Sequence, residues 1–283
     1  MALPVHAIES LAEIVSPEVI VITVKSYDLD DVAHDLRAQL GGREPIIVAL
    51  QNGVQNQQIL PKYFAEVIYG VVCYSAWRDA PGEVGHESRG YVVLGTPAND
   101  LQDEVQAVQK IFGLGLDCVT TTRLQDAVHS KLVINLANAL MTLVGFQRHP
   151  IGSFSVLSYM TFKLYWEGIQ LLQAAGFHEH LLGSYPSWRT IKMGATLLGF
   201  MTSLPFRLST RRLGLNSMAQ DVFGGKTATE LEELNGYMLD LARRIAFPTP
   251  INETIYHITK ERLGPNFRPI SPQDLWNMIK SKL

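Results

Sequence analysis

A lysine and three other polar residues lie at helical spacing in one of the least polar stretches of the chain. The apolar run over residues 132–144 predicts a helix that is buried nearly all round. At about 100° per residue, four polar side chains fall within one arc of roughly 60°: Lys131, Asn135, Asn138 and Thr142. Such a stripe is either a satisfied core network or the wall of a polar cleft. An ammonium prefers water to an apolar core, so the pattern favours the wall of a polar cleft. In such a cleft the Lys131 ammonium could donate a proton and stabilise negative charge.

The composition predicts a globular protein without nucleic-acid or membrane partners. A length of 283 residues suits two domains, and 47% hydrophobic with 18% charged residues is typical of a chain with real cores. A formal charge of −3 gives no basic surface for nucleic acid, and no apolar run reaches a membrane span of about 20 residues. Cys73 and Cys118 are isolated, which indicates reduced core thiols, and no cluster has metal-ligand spacing.

The two ends of the chain bear on localisation. The first residues lack the basic and apolar regions of a secretory signal. The last three, Ser281-Lys282-Leu283, match the peroxisomal address. We therefore expect a peroxisomal protein if the source is eukaryotic. In a bacterial source the tripeptide carries no meaning, and a cytoplasmic location is then expected.

The first half of the chain alternates strands with helices. Continuous apolar runs predict buried strands at residues 19–23, 46–50, 67–73 and 118–120, with two short strands between Pro81 and Gly95. Amphipathic patterns predict helices over residues 29–40 and 100–112, the first ending at Gly41-Gly42. This alternation is typical of an open parallel sheet of the Rossmann type.

The second half shows helical patterns alone, which makes the predicted fold class α/β followed by all-α. The predicted helices cover residues 124–145, 156–175, 186–202, 227–245, 252–262 and 272–282. Asn252 and Ser271 are predicted helix N-caps. We place the domain boundary so that residues 1–122 form the sheet domain and residues 123–283 form the helical domain. In such pairs the site lies between the domains, at the carboxyl ends of the strands.

Several motifs, taken in their order along the chain, resemble those of the ketopantoate reductase family. The first half contributes Val24-Lys25-Ser26-Tyr27, Gln51-Asn52-Gly53, the turn at residues 81–86 and Val93-Leu94-Gly95. The second half contributes residues 130–135 and 217–221, followed by Thr229-Glu230 and Leu234-Asn235-Gly236. Each motif is weak alone, but their order and spacing over about residues 18–257 make a specific match.

The resemblance implies an NADPH-dependent reductase that converts 2-dehydropantoate, a 2-keto acid, to pantoate on the path to coenzyme A. It also implies a helical domain of the 6-phosphogluconate-dehydrogenase-like type that binds substrate and can form a homodimer. Lys131 would be the general acid, and Asn52 would lie near both nicotinamide and substrate. The other implied residues are Asn135 and Ser217 for substrate, Glu230 for substrate hydroxyl groups, and Lys25 for the cofactor end of the cleft.

Several of these residues also have simpler interpretations. Asn52-Gly53 could be only a turn that ends a strand, and Ser217 could cap a helix. Glu230 belongs to an acidic group with Glu232 and Glu233, which could be a solvated face. His129-Ser130 stands where the family commonly has an aromatic residue before its lysine, and residues 183–216 do not match clearly.

The largest departure is the absence of a glycine-rich turn. A dinucleotide-binding domain opens with a strand, a G-x-G-x-x-G turn and a helix that holds the pyrophosphate, and no such motif occurs here. Without a partner strand, residues 19–23 become a sheet edge. The alternatives to a ketopantoate reductase are therefore a relative that acts on another 2-keto or 3-hydroxy acid, and a catalytically impaired homologue that binds or dimerises. The choice between NADP and NAD stays open.

Overall fold

Five strands form one sheet, in the order β1-β2-β3-β6-β7. The structure is a computed structural model that describes residues 6–74, 76–86, 90–183, 185–196, 199–210, 214–226, 228–264 and 267–283. The strands are β1 (Val19–Ile22), β2 (Ile46–Ala49), β3 (Val67–Val72), β4 (Ala76–Ala80), β5 (Glu83–His86), β6 (Val92–Gly95) and β7 (Cys118–Thr120). β4 and β5 pair with each other as a separate hairpin, and β4 was not among the predicted strands.

The sheet is mostly parallel, with one reversal that the sequence analysis did not predict. β1, β2 and β3 run parallel, with Val19 paired to Ile46 at the start of the first ladder. β6 runs antiparallel to β3, with Tyr69 opposite Gly95. The connection explains the reversal, because the chain passes from β3 to β6 through a hairpin and not through a crossover helix. β7 is again parallel to β6, after the helix over residues 102–112.

Helices follow, in agreement with the predicted change from α/β to all-α. The helices of the chain are α1 (Leu29–Leu40), α2 (Asn56–Ile59), α3 (Gln102–Phe112), α4 (Leu124–Asn135), α5 (Ala137–Leu143), α6 (Phe154–Ala174), α7 (Trp188–Thr196), α8 (Gly199–Thr210), α9 (Ser217–Phe223), a π-helical turn (Glu232–Gly236) that leads into α10 (Tyr237–Arg244), α11 (Pro250–Arg262) and α12 (Pro272–Lys280). The helix predicted over 186–202 is two helices, and α9 was not predicted.

The helix ends agree with the sequence-based prediction where the capping residue is a neighbour in sequence. α1 ends at Gly41, whose φ of +57° suits glycine, and the Ser271 hydroxyl accepts from the Asp274 N–H at the start of α12. The predicted cap at Asn252 is wrong, because α11 already begins at Pro250. The buried Glu167 carboxylate of α6 accepts from the N–H groups of Ile251 and Asn252, at 3.0 and 2.8 Å. A distant side chain therefore caps this helix.

α4 is held between the sheet and α6. It packs against β3 and β6 on one side, and Leu124 and Leu132 are both 1% exposed. Burying one leucine completely contributes about 1.5–3 kcal/mol. On the other side, a Cβ at Gly168 of α6 would lie 2.7 Å from Leu136 Cδ1, so glycine permits the close approach of the two helices. This packing fixes the position of the polar residues on α4.

Some predictions are not decided by the fold. Among the described residues, no helix combines the length and apolar character that a membrane crossing requires. The last residues, 281–283, lie exposed after α12, and their peroxisomal role stays a prediction. One core of buried side chains extends from Ile22 to Ile279 through sheet and helices, so the division into domains 1–122 and 123–283 also stays a prediction.

Candidate functional site

The polar stripe divides into a half that lines a cleft and a half that does not. Lys131 and Asn135 line a cleft at the carboxyl ends of β2 and β3. The helix is interrupted after Asn135, and α5 begins at Ala137. Beyond this point Thr142 is fully buried and donates to the Asn138 carbonyl at 2.7 Å, which satisfies it within its own helix. The structure therefore places Lys131 and Asn135 at the cleft and Thr142 in the core.

The cleft is polar on the side of β2 and apolar on the side of β3. Its cavity volume is about 10 Å³. The polar wall comes from residues after β2, on α2 and on α4: Gln51, Asn52, Asn56, Gln57, Lys131 and Asn135. Three predicted site residues, Asn52, Lys131 and Asn135, thus meet at one place.

Lys131 is the cation of this cleft. Its Nζ donates to the Val72 carbonyl at the end of β3. Burial lowers the pKa of Lys131 below its usual value of 10.5, while the nearby Cys73 and the Glu230 carboxylate act in the opposite direction. A lysine with a lowered pKa gives up its proton more readily, which is the property required of a general acid near neutral pH.

Asn52 lies in a turn that the helical part of the chain covers. Gly53 has a φ of +86°, and a Cβ there would lie 3.1 Å from the Glu233 carbonyl oxygen of the π-helical turn. The Asn52 carbonyl accepts from the Ser26 hydroxyl at 3.3 Å, which ties it to the chain after β1. The residues do form a turn, as the simpler interpretation held, and the same turn also places Asn52 in the cleft.

A second polar group joins the sheet to α9. The Lys25 ammonium donates to the Ser217 hydroxyl and lies 3.5 Å from Glu230 Oε2. The Ser217 hydroxyl donates to the same Oε2 atom at 2.9 Å. Lys25 also lies 3.4 Å from Asp221 Oδ2, whose other oxygen is 3.1 Å from the Lys226 ammonium. Lys25 therefore contacts the residues predicted to bind substrate.

Glu230 connects the two groups. It is 3% exposed, so the solvated-face interpretation is wrong for this residue. It contacts Lys25 and Ser217 directly and acts electrostatically on Lys131. Its neighbour Glu232 behaves differently, because it pairs with Lys260 at 2.7 Å on an exposed surface.

Four residues of the site were not predicted. Asp221 follows Ser217 by four residues on α9, and this helical spacing was a usable signal that both face the same way. Gln51, Asn56 and Gln57 were missed because single amides after a strand are common in turns. Only their convergence with Lys131 marks them.

The helix that carries Lys131 is also fixed at His129. The His129 Nδ1 lies 2.7 Å from the Gln125 carbonyl and Nε2 lies 2.8 Å from the Tyr237 hydroxyl. The ring stacks on Phe177 at 3.7 Å between centroids. Burial lowers the pKa of His129 to about 4, so the neutral ring donates from Nδ1 and accepts from the tyrosine. The ring therefore holds α4 two residues before Lys131.

The described residues contain no glycine-rich turn of the kind that holds a dinucleotide pyrophosphate. None of the described strands leads into a helix through a turn with two or more glycines. The helix that follows β1 starts with Asp28, Asp30 and Asp31, so carboxylates already occupy its positive end and would repel a phosphate. Over the same described part of the chain, no group of His, Cys, Asp and Glu residues could hold a metal ion.

Comparison with known proteins identifies the family. Residues 2–99 match the family model described as ketopantoate reductase PanE/ApbA, and residues 123–262 match the model of its C-terminal part. A 2-dehydropantoate 2-reductase from Pyrococcus horikoshii is 24% identical over 252 residues, which are 88% of this chain and 77% of that protein.

Solved structures show the same fold. A 2-dehydropantoate 2-reductase from Geobacter metallireducens is 22% identical with a TM-score of 0.70, covering 90% of this chain and 80% of its own. A dimeric ketopantoate reductase from Staphylococcus aureus is 22% identical with a TM-score of 0.65, covering 89% and 81%. A D-mandelate dehydrogenase in complex with NADH is 17% identical with a TM-score of 0.68, covering 87% and 80%. With both family models matched in order along most of its length, the chain belongs to the ketopantoate reductase family.

Proposed function

We propose that this chain reduces a 2-keto acid, 2-dehydropantoate, to pantoate, with Lys131 as the proton donor. The observation that carries the proposal is the partly buried Lys131 ammonium in a polar cleft beside Asn52 and Asn135. As the ketone becomes an alkoxide, its oxygen needs a proton, and Lys131 Nζ supplies it and becomes a neutral amine. Burial favours that neutral product, because it lowers the pKa of Lys131.

Charge supports a monoanionic substrate. The two polar groups contain three ammoniums, those of Lys25, Lys131 and Lys226, and the two carboxylates of Asp221 and Glu230. Their sum is one positive charge, which one substrate carboxylate would neutralise. We propose that Ser217, with Lys25 beside it, binds this carboxylate, and that Glu230 accepts from a substrate hydroxyl group. Asn135, one turn after Lys131, would orient the lysine or hydrogen-bond the substrate.

The identity of the hydride donor is the next part of the proposal. Family resemblance implies NADPH, with Asn52 near its nicotinamide and Lys25 at the cofactor end of the cleft. Lys25 instead contacts Ser217, Asp221 and Glu230, and the acidic start of α1 opposes phosphate binding. The contacts of Lys25 and the acidic start of α1 favour a second candidate function, that of a homologue that binds a keto acid or dimerises without turnover. The likeness to a D-mandelate dehydrogenase favours a third candidate, a reductase of another 2-keto acid.

Titration of the purified full chain with NADPH, followed by nucleotide fluorescence with and without 2-dehydropantoate, separates these functions. Saturable binding together with turnover that disappears in Lys131→Met supports the proposal. Absence of saturable binding overturns the reductase function and supports the binding homologue. Oxidation of NADPH by phenylglyoxylate but not by 2-dehydropantoate transfers the substrate assignment to the third candidate. Sedimentation of the same sample tests the predicted homodimer.

A further inference from the structure

Four buried side-chain atoms of the cleft wall have no hydrogen-bond partner among the residues that the structure describes. They are two acceptors and two donors: Gln51 Oε1, Asn56 Oδ1, Gln57 Nε2 and Asn135 Nδ2. All four residues line the cavity beside Lys131. Buried polar atoms without partners cost free energy, and the great majority in native proteins are satisfied by protein or by ordered water. Four of them around one cavity indicate a polar ligand.

In two of these residues, Gln51 and Gln57, the other polar atom of the side-chain amide is hydrogen-bonded. Gln51 Nε2 donates to the carbonyls of Ile22 and Val24, at 2.8 and 3.2 Å. Gln57 Oε1 accepts from the Gln125 amide at 2.6 Å. The amide ends without partners are therefore oriented by bonds to β1, to the chain after it and to α4, and they cannot turn away without breaking those bonds.

The size of the cavity decides what the ligand is. Its volume of about 10 Å³ admits about one water molecule, so the keto acid of the proposed function would approach Lys131 from the open side of the cleft and not from within this cavity. A water molecule offers two hydrogens and two lone pairs, and the cavity presents both acceptors and donors. Lys131 Nζ adds a third donor, since a lysine has three N–H groups and one of them reaches Val72. One water molecule can therefore satisfy both acceptors and two of the three donors.

We propose that this cavity binds one ordered water molecule, which accepts a hydrogen bond from the Lys131 ammonium and donates to Gln51 Oε1 and Asn56 Oδ1. The inference rests on the proposed role of Lys131 as proton donor. The water stabilises the charged lysine in a site where burial disfavours charge, and it holds Nζ at the cleft while substrate binds. Asn56 and Gln51 are thus positioning residues that act on the reaction through Lys131.

A crystal structure of the full chain without substrate tests the site directly. We expect an ordered water within hydrogen-bond distance of Lys131 Nζ and Asn56 Oδ1. Side chains that satisfy one another, with no water between them, would overturn the proposal. This measurement needs no variant and no activity.

A titration of the lysine separates positioning from a merely structural role. Asn56→Leu removes the acceptor while it keeps the branching of the side chain, and Gln58→Leu, on the exposed side of the same short helix, is the matched control. By carbon NMR of labelled lysine side chains, we expect Asn56→Leu to lower the pKa of Lys131 by about one unit and Gln58→Leu to leave it unchanged. An unchanged Lys131 in a folded Asn56→Leu would contradict the inference.

The two proposals fail separately. If the water is present and the Lys131 titration responds, but NADPH does not bind, the reductase function is wrong and the water site stands. If turnover depends on Lys131 but no water is found, the water site is wrong and the function stands.

Discussion

Lys25 and Glu230 lie on opposite sides of the junction between sheet and helices, with Lys25 Nζ 3.5 Å from Glu230 Oε2. Lys25 follows the edge strand β1, and Glu230 precedes the π-helical turn. The Ser217 hydroxyl contacts both. This contact joins two halves of the site that are distant in sequence, and it makes their stability and their chemistry interdependent.

The Lys25–Glu230 pair should stabilise the fold more than a surface pair does. Glu230→Gln removes a nearly buried carboxylate and leaves Lys25 and Ser217 with a weaker acceptor, so we expect a loss of about 1–3 kcal/mol in urea unfolding. The control is Glu44→Gln, which breaks an exposed pair with Arg37 and should cost less than about 0.5 kcal/mol. Equal losses in the two variants would show that burial of Glu230 has no energetic consequence.

Lys131→Met should abolish turnover in a protein that still folds. Methionine keeps the apolar stem but cannot donate a proton, so we expect kcat to fall by about 10²–10⁴ in an assay of NADPH oxidation. Methionine leaves the Val72 carbonyl without its donor, so we expect the free energy of unfolding to fall by about 1–3 kcal/mol while the protein stays folded. Lys110→Met, on the exposed face of α3, is the control and should leave both values unchanged. A variant that retains most of its turnover would remove Lys131 from the mechanism.

His129 should make stability fall in mild acid. Its pKa is lowered to about 4 in the folded protein, against 6.5 without burial, so the unfolded chain binds more protons between these values. Stability is therefore complete above pH 6.5 and decreases as pH falls toward 4, by up to about 3 kcal/mol. His129→Gln should flatten this part of the pH profile of unfolding, whereas His34→Gln, at an exposed residue of α1, should not. A wild-type profile that is flat from pH 7 to pH 4.5 would contradict the prediction.

Gly53→Ala should lower the free energy of unfolding more than Gly41→Ala, at which only the backbone conformation opposes an alanine. Both Gly53 and Gly41 have positive φ, which costs an alanine about 1–2 kcal/mol. At Gly41 no atom lies within 4 Å of an added Cβ, whereas at Gly53 the Glu233 carbonyl oxygen is 3.1 Å away. We expect Gly53→Ala to lose at least about 1 kcal/mol more than Gly41→Ala in urea unfolding. Identical losses of stability in the two variants would mean that the π-helical turn moves away from the added methyl group at no cost in free energy.

Much of the fold followed from local sequence signals. The bounds of α1 and β7 agree with the prediction residue for residue, because an amphipathic pattern that ends in Gly41-Gly42 and a short apolar run need no distant contact. The meeting of Asn52, Lys131 and Asn135 at one cleft also agrees with the sequence, since residues that follow parallel strands share one edge of the sheet.

Contacts between distant side chains decided the rest. The reversal of β6, the cap that Glu167 provides for α11 and the pairing of Lys25 with Glu230 all depend on groups far apart in the chain, which no periodicity of neighbouring residues records. The same holds for the amides around Lys131, each of which is an ordinary turn or helix residue in sequence. The sequence by itself determined the change from α/β to all-α and the bounds of α1 and β7, because these rest on local patterns. Tertiary packing alone decided which half of the polar stripe faces the cleft, because burial and hydrogen bonding are set by what packs against each face.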